Sequence, residues 1–134
     1  LCWHKPNSMP TYNNKYLTDT EYCLYFRNGS GKLKPTSYED AKTFWIEPIN
    51  QTDKRKYKHP TIKPLNMIEK LVNNSSKEGD VVFDPFLGSG TTAVACKKLN
   101  RNFIGTEINE EFYKIALNRI KEIEEEKHLT EFFV

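Results

Sequence analysis

No run of apolar residues in this chain approaches the ~20 needed to span a bilayer. The first residues, Leu1-Cys2-Trp3-His4-Lys5-Pro6, have no apolar core of a secretory signal and no initiator methionine, so the chain reads as a piece of something longer. Cysteine is scarce: Cys2, Cys23 and Cys96 form no CxxC pair. That excludes a disulfide framework and a cysteine-rich zinc site, and no metal site is expected. A reducing, cytoplasmic setting fits, with Cys96 as a small core hydrophobe. Internal repeats and low-complexity tracts are missing too.

What is present is a soluble globular balance in 134 residues, with 37% hydrophobic and 28% charged residues and eight Phe and seven Tyr to fill a core. That is room for a single domain. The net charge of +2 hides an asymmetry, since residues 1–64 hold 11 Lys/Arg against 6 Asp/Glu and residues 65–134 hold 9 against 12. A basic half beside an acidic half points to a polyanion partner for the first half, against ordinary surface charge.

Glu21–Phe26 reads as an aromatic-rich strand ended by Asn28-Gly29-Ser30-Gly31. Residues 32–58 are polar and basic, with a short helix near Tyr38–Thr43 and an extended Phe44-Trp45-Ile46. Pro64 fits the first turn of a helix with Leu65, Ile68, Leu71 and Val72 on one face. Asp80–Phe83 reads as a short buried strand, followed by the Pro85–Gly90 loop, a helix over Thr91–Leu99 and a strand over Asn102–Thr106. Asn109 is an N-cap with Glu110 and Glu111 in the first turn. Phe112, Ile115, Ala116, Arg119, Ile120 and Ile123 then repeat at helical spacing to about Lys127, with Glu122–Lys127 a solvated face. Strand, loop, helix, strand, helix is the grammar of a parallel α/β sheet.

The informative stretch is Phe83-Asp84-Pro85-Phe86-Leu87-Gly88-Ser89-Gly90-Thr91-Thr92, where a strand gives way to a helix, the place at which open α/β sheets bind ligands. Gly88 and Gly90 remove side chains, letting backbone approach a ligand. Thr91 and Thr92 offer hydroxyls and N–H groups at the helix start. No Lys follows Gly90, so this is not a phosphate-binding P-loop. A dinucleotide turn is conceivable with Ala93 in place of the third glycine. However, Asp84, four residues before Gly88, would repel a pyrophosphate and welcome an ammonium. S-adenosylmethionine carries an ammonium, a sulfonium and no phosphate. Glu107, 17 residues after Gly90, stands at the tip of the second strand, placed to accept both hydroxyls of a ribose. The plainer role is a carboxylate just before the Asn109 cap.

Asp84–Thr92 resembles motif I of the amino-methyltransferases of DNA, which methylate adenine N6 or cytosine N4. His59-Pro60-Thr61-Ile62-Lys63-Pro64 resembles their motif X, and motif X leading into motif I is the order of the β-class. Trp3-His4-Lys5-Pro6-Asn7 resembles a post-catalytic segment of these enzymes. The resemblance implies a Rossmann-like fold with an incomplete sheet, of which about four strands can be counted here. It also implies S-adenosylmethionine as cofactor, double-stranded DNA as partner, and a bacterial or phage-like, restriction-modification setting. By the same resemblance Asp84, Phe86, Gly88, Ser89, Gly90, Thr91 and Thr92 surround the methionine part, and Glu107 takes the ribose. His59, Thr61, Lys63 and Pro64 close over the cofactor, with Lys63 on its carboxylate. Residues 59–127 form the cofactor-binding region, and 32–58 take the place of a short target-recognition segment in which Lys54, Arg55, Lys56 and Lys58 contact DNA. Tyr57, Trp45 and Phe44 lie among or near them as candidate aromatic platforms, against an ordinary core role for Phe44 and Trp45.

The family's catalytic tetrapeptide, Asp-Pro-Pro-Tyr or Ser-Pro-Pro-Trp in type, is absent from these residues, so no catalytic residue is assigned. In the β-class it precedes motif X, and the chain is expected to be a C-terminal portion that works with an upstream portion of the same protein or as a homodimer. Two rivals remain at this point: a non-catalytic module that binds cofactor or DNA, and a nicotinamide or flavin enzyme, against which Asp84 argues.

Overall fold

The computed structural model describes residues 1–9, 15–29 and 31–132, with the backbone alone over 127–132. Ser30 of the expected turn lies outside the described residues. Five short strands form two sheets. In the first, β1 (Cys2–His4) lies between β2 (Thr20–Tyr22), antiparallel, and β3 (Phe44–Ile46), parallel, with Trp3 facing Glu21 and Trp45 in register. In the second, β4 (Val81–Asp84) and β5 (Asn102–Gly105) pair in parallel. The helices are α1 (Tyr38–Ala41), α2 (Gln51–Lys56), α3 (Leu65–Ser75), α4 (Thr91–Lys98) and α5 (Glu110–Phe132).

Each start has a local cause. The Ser37 hydroxyl accepts the Asp40 N–H at the head of α1, and the Asn50 side chain accepts that of Asp53 at the head of α2. Asn109 caps α5 as expected, its side-chain oxygen accepting the Phe112 N–H at 3.1 Å. Pro64 stands one position earlier than expected, preceding α3 rather than opening it. The core gathers Val72, Ala95 and Cys96, with Leu65, Ile68, Val82, Leu99 and Phe103 packed against it. Ala93, Val94, Ala95 and Cys96 are all buried in one turn. Helix α4 is therefore covered all round, by α3 and α5 on its flanks and the β4–β5 sheet beneath.

Several expectations need correction. The strand of Glu21–Phe26 is short, because β1 supplies partners only for Thr20–Tyr22, and Leu24 and Phe26 stand exposed. The strand expected to be buried at 80–83 alternates: Val82 faces α4, while Val81, Phe83 and Ile104 of β5 are 59%, 63% and 58% exposed. A parallel sheet normally has both faces covered; here α4 covers one and the other is bare. The second strand ends at Gly105 rather than reaching Glu107. Five strands stand where about four were counted, since Trp3 lies in β1. Helix α2 falls unexpectedly inside 32–58, whereas the extended Phe44-Trp45-Ile46 is β3 as expected, and α5 runs beyond Lys127.

Candidate functional site

Where β4 ends and α4 begins, a cavity of about 290 Å³ opens. That is close to the ~300 Å³ at which ligand pockets commonly start. Ten of the twelve residues expected to hold the cofactor line it: His59, Thr61, Lys63, Asp84, Phe86, Gly88, Ser89, Thr91, Thr92 and Glu107. Pro64 and Gly90 do not. Ile62, Ile68, Leu87 and Phe112 complete the wall, although in the sequence they stand out only as helix or loop residues. Their apolar surface is what a flat, weakly polar ring system would rest on.

The two carboxylates are fixed by the turn itself. Asp84 Oδ1 accepts the Phe86 N–H at 3.0 Å, and Oδ2 accepts the Thr92 hydroxyl at 2.6 Å. Glu107 Oε2 accepts the Gly88 N–H at 2.7 Å, and Oε1 accepts the Asn109 N–H at 2.8 Å. A carboxylate oxygen accepts more than one bond, so both acids are held in place with capacity to spare. The Asn109 N–H holds the Glu107 carboxyl below its ordinary value of 4.5, and together with the Gly88 N–H it outweighs the opposing effect of burial. Its share of stability is complete above the unfolded-state value and is lost as pH falls through the lower folded-state value. Unfolding free energy should therefore drop between about pH 5 and pH 3 by a component that Glu107→Gln lacks. Superimposable pH profiles for the two proteins, followed by chemical denaturation, would refute this role of Glu107.

Gly90 is corrected most firmly. Its φ of +83° is left-handed, and an added Cβ would lie 2.8 Å from Ala116 Cβ and 3.0 Å from Ala116 Cα. The missing side chain makes room for α5, not for a ligand. Gly88 fits its expected place better: it is also left-handed, and its Cβ would meet His59 Nε2 at 3.1 Å, on the cavity side. His59 packs edge-on to Phe112, 4.3 Å between ring centroids. Burial pushes its imidazole below the ordinary value of 6.5, and Glu107 only partly offsets this.

Lys63 lines the cavity but is already engaged. Its Nζ donates to Glu21 Oε2 at 2.7 Å and lies 5.5 Å from the centre of the Trp3 ring. Lys5 donates to the other Glu21 oxygen at 3.3 Å. Burial raises the Glu21 carboxyl, and the hydrogen bonds and charges of Lys63 and Lys5 outweigh it, leaving it below the usual range. This cluster ties the first sheet to the segment that closes the cavity.

The basic residues lie on and just after α2. Lys56 pairs with Glu122 of α5 at 3.2 Å, and Lys58 has a left-handed φ of 49°. Among the described residues no ion pair engages Lys54, Arg55 or Lys58. Arg119 falls on the apolar stripe of α5 by its spacing, and the structure gives it a different place. It is 4% exposed, and its Nη1 donates to the Ser89 carbonyl at 2.7 Å. A charged residue at an apolar position of a helical stripe was the signal available.

A larger cavity of about 850 Å³ lies between β3, α1 and α3. It holds Trp45 and Phe44 and the first turn of α3, but no glycine turn. The chemistry favours the smaller one. Its two acids, hydroxyls and apolar wall suit a ligand that carries an ammonium, a ribose and a flat base, and no phosphate.

Comparison with known proteins agrees. A family model described as DNA methylase matches residues 1–118. The chain is 36% identical to the type II methyltransferase M2.DpnII of Streptococcus pneumoniae, over 90% of this chain and 50% of that protein. It is 33% identical to M2.MboI of Moraxella bovis, over 92% of this chain and 49% of that protein. It thus spans about half the length of the curated relatives it matches. Among solved structures, the M1.HpyAVI–SAM complex is similar with a TM-score of 0.69 and 35% identity, over 90% of this chain and 60% of that one. PvuII DNA methyltransferase (cytosine-N4-specific), at 16% identity and a TM-score of 0.68, shares the fold alone. The architecture is the Rossmann-like α/β fold of these methyltransferases.

Proposed function

Since the chain belongs to the DNA methylase family, we propose that it is the cofactor-binding portion of an S-adenosylmethionine-dependent DNA methyltransferase acting on an exocyclic amino group. Adenine N6 stands ahead of cytosine N4, on the overall resemblance to the amino-methyltransferases. The observation that carries the reading is the convergence of Asp84 and Glu107 on one cavity at a glycine turn with no phosphate-binding lysine.

The donor set fits the cofactor. Asp84 faces its ammonium, and Glu107 accepts from its ribose. Ile62, Ile68 and Phe112 offer the apolar surface for its adenine, and the absence of a Cβ at Gly88 keeps His59 in place. When bound, the cofactor supplies a methyl group on a sulfonium leaving centre, and the protein orients donor and acceptor. Lys63, held by Glu21 and Trp3, fixes the segment that closes the cavity and presents positive charge to the cofactor carboxylate. The group that accepts the target base is outside these residues, because they contain no Asp-Pro-Pro-Tyr or Ser-Pro-Pro-Trp tetrapeptide.

The partner is double-stranded DNA, gripped by Lys54, Arg55 and Lys58, with residues 32–58 as the recognition segment. The bare face of Val81, Phe83 and Ile104, with the half-length match to relatives, supports an upstream portion of the same protein as its cover, ahead of a homodimer. The setting is the cytoplasm of a cell with a restriction-modification system. Among the described residues no helix is long and apolar enough to cross a membrane.

Calorimetry on the full-length protein tests the cofactor. S-adenosylmethionine or its demethylated product should bind and NAD should not, and Glu107→Ala should weaken binding by roughly 10–100-fold, the worth of hydrogen bonds to a charged group. Tighter binding of NAD would overturn the reading.

A further inference from the structure

The guanidinium of Arg119 has no part in the chemistry above and does not line the cavity, yet it is buried directly behind it. Its Nη1 donates to the Ser89 carbonyl at 2.7 Å, to the Ser89 hydroxyl at 3.3 Å and to the Thr91 hydroxyl at 3.2 Å. The centre of the guanidinium lies 4.5 Å from the centroid of the Tyr57 ring. Ser89 and Thr91 are themselves buried, 2% and 7% exposed, and both reach the cavity wall.

A structural filler at this place in α5 would be apolar. Its neighbours on the stripe, Ile115, Ala116, Ile120 and Ile123, are apolar, and burying a charge is costly unless it is bonded. The bonds that compensate here run to two residues of one loop. A planar guanidinium can stack on a ring and donate in its own plane at once, whereas a lysine ammonium cannot do both. The Ser89 carbonyl, the negative end of a peptide dipole, is thereby held toward α5. It is kept from turning into a cavity that already contains two carboxylates.

We infer that Arg119 is a positioning residue for the cofactor loop: with Tyr57 as its platform, it fixes Ser89 and Thr91 from behind and so sets cofactor affinity without touching the cofactor. This rests on the proposed cofactor site. Tyr57 follows directly on α2, so the shape of the loop depends on the seating of the basic segment as well. The Tyr57 hydroxyl contacts Glu122 at 3.4 Å and also interacts with Lys56 and Arg119, while the ring is the surface on which the guanidinium lies.

The test compares Arg119→Lys, Arg119→Met, Tyr57→Leu and Tyr57→Phe in the full-length protein. Titration with S-adenosylhomocysteine, thermal denaturation and methyl-transfer kinetics are the measurements. Arg119→Lys, which loses charge-assisted bonds held by the planar guanidinium, and Tyr57→Leu, which loses the ring beneath it, should each weaken binding by about tenfold. KM for the cofactor should rise while kcat at saturating cofactor is retained. Tyr57→Phe should stay within about twofold of the wild type. If Arg119→Met fails to fold, Arg119→Lys and Tyr57→Leu decide. Wild-type affinity in those two variants overturns the inference, whether or not their melting temperatures fall. A fall in kcat with KM unchanged overturns it as well. A wild-type protein that does not bind S-adenosylhomocysteine overturns the proposed function and this inference together. A wild type that binds, with variants that bind equally well, overturns the inference alone.

Discussion

Gly90→Val should abolish cofactor binding by the full-length protein, and should do so by dislodging α5 rather than by filling the cavity. Two costs add. A β-branched residue at φ +83° is strained, by at least the ~1–2 kcal/mol of an ordinary left-handed residue. The new Cβ would also fall 2.8 Å from Ala116 Cβ and 3.0 Å from the Ala116 Cα. The second of these is backbone of a long helix and cannot swing aside, and overpacking of this kind costs roughly 1–3 kcal/mol. Together they consume a large share of the ~5–15 kcal/mol by which domains are stable. The melting temperature should fall with the loss of binding. Gly88→Ala should behave differently. Its φ of +56° carries left-handed strain of about 1–2 kcal/mol, but its Cβ would press only on the far end of the His59 side chain, so the melting temperature should fall less than for Gly90→Val while affinity still suffers. Thermal denaturation beside calorimetry separates the two. A Gly90→Val protein that melts like the wild type but binds no cofactor would restore a ligand-facing role for Gly90.

That contrast marks the limit of what the residues alone reveal. The turn from Asp84 to Thr92 was legible because its function is written locally. Strand, glycines, hydroxyls and an acid follow one another, and seven of these nine residues supply half of the fourteen that line the cavity. Helices α3, α4 and α5 were legible for the same reason: an apolar stripe, an Asn109 cap and a preceding proline are neighbours in sequence. Gly90 was recognised but misassigned, since its reason is Ala116, with the whole of α4 and β5 lying between them in sequence. Arg119 was hidden in the stripe it interrupts, and its partners Ser89 and Tyr57 lie on two other elements. Helix α2 has six residues that are polar on all sides and therefore no periodicity to find. The strand at 21–26 looked longer than it is because aromatic residues favour strands, while the length of a ladder is set by its partner. The exposure of Val81 and Phe83 was not legible either. Their apolar character suits a covered face, and nothing among the described residues covers it.

Replacing Lys54, Arg55 and Lys58 together by alanine should flatten the salt dependence of DNA binding by the full-length protein. A cation that neutralises a phosphate releases a counterion, and removing one such cation lowers the slope of log affinity against log salt by roughly 0.9. Removing three would lower it by about 2.7. Lys56 is spared because its ammonium is committed to Glu122 at 3.2 Å, and removing it would disturb the seating of α2 on α5. Tyr57 stays for a related reason, since its ring lies against Arg119. With both intact, the cofactor loop is untouched and affinity for S-adenosylmethionine should not change. That invariance is what distinguishes a phosphate clamp from a structural role for the segment. Weaker cofactor binding in the triple variant would mean that the basic residues act by holding α2 in place. An unchanged salt slope with unchanged cofactor affinity would mean that they are a solvated surface, and that DNA is gripped elsewhere in the protein. The net charge of residues 1–64, with 11 Lys/Arg against 6 Asp/Glu, favours the clamp. Lys5 and Lys63 share the single carboxylate of Glu21, while Lys42 is paired with Glu39 and Lys56 with Glu122. Among the described residues no ion pair engages Lys54, Arg55 or Lys58, which lie within five positions of sequence with Asp53 as the adjoining acid, beside the segment proposed to close over the cofactor.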